Sequence, residues 1–161
     1  MSEYKVVNPA NGETVKEYPT ATDDQIKDAL ERSHKEYASW KTTPVEQRVE
    51  ILRKVAAIYR ERSEELAKII QTEMGKVIPA GQGEVEISAR IYEYYADNAK
   101  AFIEEEKLRG ANDGDAYLLR KPTGSILGIM PWNFPYYQVA RFAAPNLALG
   151  NTILLLSLIH I

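Results

Sequence analysis

The sequence SILGIMPWNFPYYQVARFAAPNLALG, residues 125–150, decides the fold of this chain. Its first six residues carry no charge and include β-branched side chains, which predicts a strand buried on both faces of a parallel sheet. A short loop lies between Pro131 and Pro135. Pro135 suits a first helical position, and apolar residues then recur at helical spacing until Gly150. We expect a second buried strand over residues 152–156.

A strand, a helix and a second strand of these lengths are typical of a βαβ crossover, in which both strands run parallel in one sheet. In such sheets, ligands bind at the carboxyl ends of the strands. The loop of residues 131–134 follows the carboxyl end of the first strand. The sequence therefore predicts an α/β fold with a ligand site at this loop.

The overall composition is that of a globular domain, because 161 residues with 45% hydrophobic side chains can form a packed core. The 23 acidic and 20 basic residues are mixed along the chain, so we expect neither a nucleic-acid partner nor a membrane partner. There is no cysteine, and we expect no metal site. Neither a signal segment nor a stretch long enough to span a bilayer is present, which favours a cytoplasmic location.

The first forty residues predict a hairpin followed by a helix. Asn11 and Gly12 form a tight-turn pair between two alternating segments, which indicates a β-hairpin over residues 4–20. Thr22 and Gln25 have the spacing of a capping box, so a helix begins after Thr22.

Three further helices and a second hairpin precede the βαβ unit. Thr43 is the predicted N-cap of a helix whose arginine and glutamate side chains are solvated, and Gly75 ends the helix after it. A long helix is expected over residues 80–99, with residues 81–83 as its loose start and not as a phosphate-binding loop. Turn residues within 109–115 then predict a hairpin over residues 107–121.

The motif Pro131-Trp132-Asn133-Phe134-Pro135 resembles the PWNFP-type loop that follows the first Rossmann strand in the aldehyde dehydrogenase superfamily. The resemblance extends over residues 6–155. It includes the segments NPANGE at 8–13, YYA at 94–96, KPTG at 121–124 and GNT at 150–152. Because it corresponds to roughly the first third of a member's usual length, we expect the chain to be an N-terminal fragment.

This resemblance implies a truncated aldehyde-dehydrogenase-like α/β fold in four parts. These are the N-terminal hairpin and helical part of the cofactor-binding domain (1–106), an oligomerisation-type β-hairpin (107–122), the first strand-helix-strand of a Rossmann-type domain (123–155) and a non-native tail (156–161). The tail is expected because LSLIHI departs from the family, which usually has a cofactor-contacting lysine at the position of Leu156. The same hexapeptide is encoded by a transposon-end adapter used in sequencing libraries.

Members of the family oxidise an aldehyde through a cysteine thiohemiacetal and pass hydride to NAD or NADP. The resemblance thus implies a small-molecule aldehyde as substrate and a homo-oligomer when the protein is full length. Because this chain has no cysteine, we expect it to be inactive alone. The alternative is a non-catalytic oligomerisation or regulatory module derived from the same fold.

Asn133 matches the family's amide donor to the oxyanion, a catalytic role for which a neutral N–H is suited because it stabilises developing negative charge. The alternative role for Asn133 is a helix cap. Ile129, Met130, Pro131 and Trp132 match positions that line the cofactor. For Ile129 and Pro131, the alternative is packing at the end of the strand.

Three residues beyond this motif match the aldehyde-binding part of the family site. Phe134 and Gln138 match positions that shape the substrate channel. Arg141 matches the arginine with which succinate-semialdehyde dehydrogenases, which this sequence resembles here, hold the distal carboxylate of the substrate. A charge within an apolar helical face is costly unless it is paired, so the alternatives for Arg141 are a structural ion pair or a snorkelling side chain.

Overall fold

The computed structural model describes residues 4–109 and 114–158. The turn residues at 110–113 and the last three residues of the predicted tail, 159–161, lie outside this part of the chain. The elements in chain order are β1 (Tyr4–Val7), β2 (Thr14–Tyr18), α1 (Asp23–Trp40), α2 (Val45–Glu61), α3 (Ser63–Met74), α4 (Ile78–Ile103), β3 (Glu106–Leu108), β4 (Ala116–Leu118), β5 (Ser125–Pro131), α5 (Pro135–Leu149) and β6 (Thr152–Leu158).

The strands form three two-stranded sheets. Strands β1 and β2 pair antiparallel, as do β3 and β4, which confirms both predicted hairpins. Strands β5 and β6 pair parallel, with Ser125 opposite Thr152, so the predicted crossover is confirmed. Strand β6 runs two residues beyond the predicted end of this strand.

Buried Asn151 fixes where β5 begins relative to β6. Its Oδ1 accepts hydrogen bonds from the backbone N–H groups of Thr123 and Gly124, at 2.7 and 3.1 Å. The N–H of Thr152 in turn donates to the carbonyl of Gly124 at 3.2 Å. These three bonds join the residues just before β5 to Asn151 and Thr152 at the start of β6, so they set the parallel register from its first pair.

Strand β5 is covered on one face only. Helix α5 packs on the face that includes Gly128, where the ring of Phe142 takes the space of a missing Cβ. On the opposite face Leu127 and Ile129 are 60% and 54% exposed. The prediction that β5 is buried on both faces is therefore wrong for the described chain, because no described element covers Leu127 or Ile129.

Helix α4 lies at the centre of the helical layer and packs against α2, α3 and α5. Alanine dominates the core, and small side chains let the helix axes approach closely. The main cluster of buried core residues consists of Leu52, Ala56, Ala89, Tyr92, Ala96, Ala99, Ala140, Ala143, Ala144 and Ala148. Among the helices of the described residues, none is long and apolar enough to cross a membrane.

The two predicted helix starts have different outcomes. Thr22 and Gln25 form the predicted capping box at the start of α1. The prediction that Thr43 caps α2 is wrong, since the cap residue is Pro44 and no side chain bonds to that helix end. The Thr43 hydroxyl donates instead to the carbonyl of Ser39, at 3.3 Å.

Arg48 on α2 is buried, so the prediction that the arginines of this helix are solvated is wrong at this position. Its Nε donates to the carbonyl of Ala148 at 3.0 Å, and another guanidinium nitrogen donates to the carbonyl of Thr43. Trp40 Nε1 donates to the carbonyl of Leu147 at 3.1 Å. Burial lowers the pKa of the Arg48 guanidinium. The bonds to Ala148 and Leu147 satisfy carbonyls at the negative end of α5.

Two glycines near the start of α4 should respond in opposite directions to alanine substitution. A Cβ on Gly81 would lie 3.1 Å from the Cβ and 3.2 Å from the Cα of Ala67 on α3, whereas a Cβ on Gly83 would meet nothing within 4 Å. We expect Gly83→Ala to raise the free energy of unfolding by roughly 0.5–1 kcal/mol through helix propensity. We expect Gly81→Ala to lower it by about 1–2 kcal/mol through overpacking. Urea denaturation measures both values, and equal effects would contradict the close packing of α3 on α4.

Candidate functional site

The PWNFP loop lies where the sequence predicts it, at the carboxyl end of β5. Strand β5 ends at Pro131 and α5 begins at Pro135. Pro131, Trp132, Asn133 and Phe134 are all exposed. The loop therefore presents its side chains at the edge of the sheet where ligands of parallel sheets bind.

Asn133 does not cap α5. The cap residue is Phe134, and no side chain of the loop bonds to the helix end. Instead, the backbone N–H groups of Tyr136 and Tyr137 donate to Glu84 Oε1 at 2.9 and 3.3 Å. The helix-cap alternative for Asn133 is therefore wrong. None of the hydrogen bonds of the described residues uses its side-chain amide.

Glu84 is a buried carboxylate on α4, only 3% exposed. Its Oε2 forms an ion pair with Nζ of Lys76, which precedes α4. Nζ of Lys76 also donates to the carbonyl of Asn133 at 3.3 Å and lies 3.7 Å from the centroid of the Phe134 ring. The ion pair therefore contacts both the loop and the first turn of α5.

The sequence did contain a signal for Glu84. It lies four residues before Ser88 and next to Val85, on the apolar face predicted for α4. A carboxylate at a core position of a helix requires a partner, since an unpaired buried charge is costly. Lys76 carried no comparable signal, because its segment between Gly75 and the helix has no periodicity.

The predicted substrate residues Phe134, Gln138 and Arg141 lie on one face of the start of α5, since their spacings are four and three residues. Gln138 is half-buried. Arg141 is exposed, and its guanidinium carbon lies 5.2 Å from the centroid of the Tyr137 ring. The expectation that Arg141 lies within an apolar face is wrong, because that position faces solvent.

No ion pair within residues 4–109 and 114–158 includes Arg141. The structural ion-pair alternative for this residue is therefore wrong for the described chain. An exposed guanidinium that stacks on an aromatic ring agrees with the snorkelling side chain and with the carboxylate-binding arginine considered above.

The predicted cofactor residues form a mostly exposed strip at the end of β5. Ile129, Pro131 and Trp132 are exposed, whereas Met130 is half-buried against the α5 side of the strand. For Ile129 and Pro131, the cofactor-lining role and the alternative of packing at the end of the strand both stay predictions. The strip is apolar and lies next to Asn133.

A cavity of about 430 Å³ adjoins the loop. Trp132, Pro135 and Tyr136 line it together with residues of β1, β2 and α3. Burial raises the pKa of the Tyr136 hydroxyl to about 12, with a smaller contribution from Tyr59. The described residues contain no cluster of three histidine, cysteine or carboxylate side chains that could hold a metal ion.

Comparison with known proteins identifies the family. The sequence pattern described as "Aldehyde dehydrogenase family" matches residues 1–157. This chain belongs to the aldehyde dehydrogenase family. Within the family, it is 43% identical over 152 residues to the NADP+ succinate-semialdehyde dehydrogenase of Deinococcus radiodurans, a match that covers 94% of this chain and 32% of the relative.

Two other members of the family have similar sequence identity and coverage. The NAD(P)+ succinate semialdehyde dehydrogenase Sad of Escherichia coli is 40% identical over 149 residues, with 92% of this chain and 32% of the relative covered. The crystal structure of succinic semialdehyde dehydrogenase from Streptococcus pyogenes in complex with NADP+ matches with a TM-score of 0.92 and 38% identity. That match covers 97% of this chain and 34% of the solved chain.

The chain thus spans about a third of the length of these family members. The structural match confirms the expected truncated aldehyde-dehydrogenase-like α/β fold. The division into four parts stays a prediction, as do the roles of the site residues.

Proposed function

We propose that this chain is part of an NAD- or NADP-dependent aldehyde dehydrogenase that oxidises succinate semialdehyde to succinate. The observation that carries the proposal is the exposed PWNFP loop at the carboxyl end of a parallel strand, in a chain that belongs to this family. The names of the similar proteins support this substrate class.

Asn133 would act as the oxyanion donor. Its carboxamide is exposed and makes no hydrogen bond within the described chain, while its backbone carbonyl is held by Lys76. A neutral N–H at this point stabilises negative charge on the aldehyde oxygen without competing for protons. The residue would therefore lower the barrier for attack on the aldehyde carbon.

The remaining chemistry would come from the whole protein. This chain has no cysteine, so the nucleophile would lie outside it, and we expect the chain to be inactive alone. When bound, the nicotinamide would accept the aldehyde hydrogen as hydride, and water would supply the second carboxylate oxygen. The described residues would bind the substrate and the cofactor, orient them, and stabilise the negative charge that develops on the aldehyde oxygen.

The strip at the end of β5 fits one side of a nicotinamide cofactor. Ile129 and Trp132 are 54% and 42% exposed, and both lie at the strand end where parallel sheets bind nucleotides. Exposed apolar side chains can cover a flat aromatic ring. Met130 and Pro131 would extend the same wall.

Arg141 would hold the distal carboxylate of succinate semialdehyde, with Phe134 and Gln138 shaping the channel. Arg141 lies six positions after Pro135, which is a rise of roughly 9 Å along the helix axis. A long arginine side chain and a four-carbon substrate can together span this distance to Asn133. Arginine suits the role because its fork can bind a carboxylate through two parallel hydrogen bonds.

We further propose that the full-length protein is a cytoplasmic homo-oligomer whose β3–β4 hairpin contacts another subunit. The support is that Leu108, Tyr117 and Leu118 of this hairpin are exposed. Apolar side chains grouped on one small hairpin are typical of a protein interface.

The Asn133→Ala variant of the full-length enzyme tests the oxyanion role. We expect kcat to fall about 10²–10³-fold, as for loss of one oxyanion donor, with the Kd for NADP unchanged. Steady-state kinetics and fluorescence titration measure the two quantities. The matched control is Asn98→Ala, which removes an asparagine of α4 whose Nδ2 donates to the Tyr94 carbonyl. This variant should keep the wild-type kcat. A wild-type kcat in Asn133→Ala would refute the role.

The Arg141→Leu variant tests the substrate. We expect KM for succinate semialdehyde to rise roughly 10- to 100-fold, the cost of a lost hydrogen bond to a charged group, while kcat/KM for uncharged butyraldehyde changes little. Arg32→Leu, which removes an exposed arginine on α1, is the matched control. Equal losses for both aldehydes would show that Arg141 does not recognise a carboxylate.

A further inference from the structure

We infer that Lys76 and Glu84 are positioning residues that fix the backbone from which the Asn133 amide projects. The inference rests on the proposed function, since it concerns how the oxyanion donor is held. Neither residue belongs to the PWNFP loop: Lys76 contacts it from the segment before α4, and Glu84 contacts the first turn of α5 from within α4.

Glu84 holds the backbone that follows Asn133. The N–H groups in the first turn of α5 have no acceptor within the helix, and Pro135 has no N–H group. Glu84 Oε1 accepts hydrogen bonds from the backbone N–H groups of the next two residues, Tyr136 and Tyr137. The carboxylate also lies at the positive end of the helix dipole, which favours its charge. One buried group from α4 thus fixes where α5 begins.

Lys76 holds Asn133 itself. Its Nζ donates to the Asn133 carbonyl, lies against the Phe134 ring and pairs with Glu84 Oε2. The Lys76 side chain is only 13% exposed, so solvent competes little for these contacts. The carbonyl of Asn133 is not part of the α5 hydrogen-bond pattern, and the helix does not need this bond. The bond constrains the loop.

The chain brings Lys76 to the loop through a turn at Gly75. Gly75 ends α3 with φ of 75°, a left-handed conformation that suits glycine. A Cβ at Gly75 would lie 3.1 Å from Cγ of Pro9, so the turn that follows β1 packs against Gly75. Lys76 therefore projects from a fixed backbone and not from a free loop.

Together, the two side chains fix backbone atoms of Asn133, Tyr136 and Tyr137. The Asn133 amide has only its own side-chain torsions left to vary. A donor must point at the position of the oxyanion before the reaction occurs, and displacement by about 1 Å can cost on the order of 100-fold in rate. Loss of the ion pair should therefore lower the rate while leaving substrate affinity nearly intact.

The test uses four variants of the full-length enzyme: Lys76→Met, Lys76→Arg, Glu84→Gln, and the double variant Lys76→Met/Glu84→Gln, which leaves no unpaired buried charge. We expect the Lys76→Met and double variants to lower kcat about tenfold or more, with KM and the Kd for NADP within about twofold of wild type. Lys76→Arg should restore part of the rate. Lys68→Met/Glu64→Gln removes an exposed ion pair on α3 and should change none of these values.

A double-mutant cycle separates positioning from general damage to the fold. In the Asn133→Ala background there is no amide to position, so adding Lys76→Met should change kcat less than about twofold. An equal loss in both backgrounds would overturn the inference, as would a wild-type kcat in both Lys76→Met and the double variant.

Hydrogen exchange distinguishes failure of this inference from failure of the proposed function. If the unmodified full-length enzyme oxidises no aldehyde, the proposed function fails. Whether Glu84 holds the first turn of α5 is then tested by amide exchange at Tyr136 and Tyr137, measured in the Glu84→Ala variant and, as a control, in Glu64→Gln. Faster exchange in Glu84→Ala alone supports Glu84 as the anchor of the loop, and unchanged exchange overturns it.

Discussion

Opposite buried charges hold the two ends of helix α5, and the site depends on this arrangement. Glu84 accepts the first free N–H groups of the helix, and Arg48 donates to the Ala148 carbonyl in its last turn. Each charge lies at the end of the helix dipole that favours it. Both come from helices that pack in the alanine-rich core, α4 and α2. The helix can therefore neither slide nor rotate without breaking buried hydrogen bonds.

This fixed helix determines the position of everything attached to it. The PWNFP loop enters at the end that Glu84 holds, and Gly150 with φ of 98° turns the chain into β6 at the end that Arg48 holds. The same helix presents Gln138 and Arg141 on one face, and Phe134 precedes it in the loop beside Asn133. The exposed face of β5 is the part that this chain leaves uncovered, which agrees with a chain that spans about a third of its relatives.

Local patterns predicted most of the fold, because the hairpins, the capping box at Thr22 and the βαβ unit depend on neighbouring residues. At Arg48 the prediction was wrong because distant backbone decided the outcome, and Glu84 was missed for the same reason. The partners of Glu84 and Arg48 lie 52 and 100 residues away in the sequence. When the partner of a charged helical residue is a distant peptide group, the local sequence pattern predicts a solvated side chain. The motif identified the site loop, whereas the ion pair that contacts it could be found only in three dimensions.

The central claim, that buried charges fix both ends of α5, is tested most directly at Arg48 by the free energy of unfolding in urea. The Arg48→Met variant leaves buried carbonyls without donors, and we expect a loss of about 2–3 kcal/mol. Arg53→Met removes an exposed ion pair with Asp97 from the same helix and should cost at most about 1 kcal/mol. A loss in Arg48→Met no larger than that in Arg53→Met would contradict this, because the C-terminal end of α5 would then not depend on the buried charge.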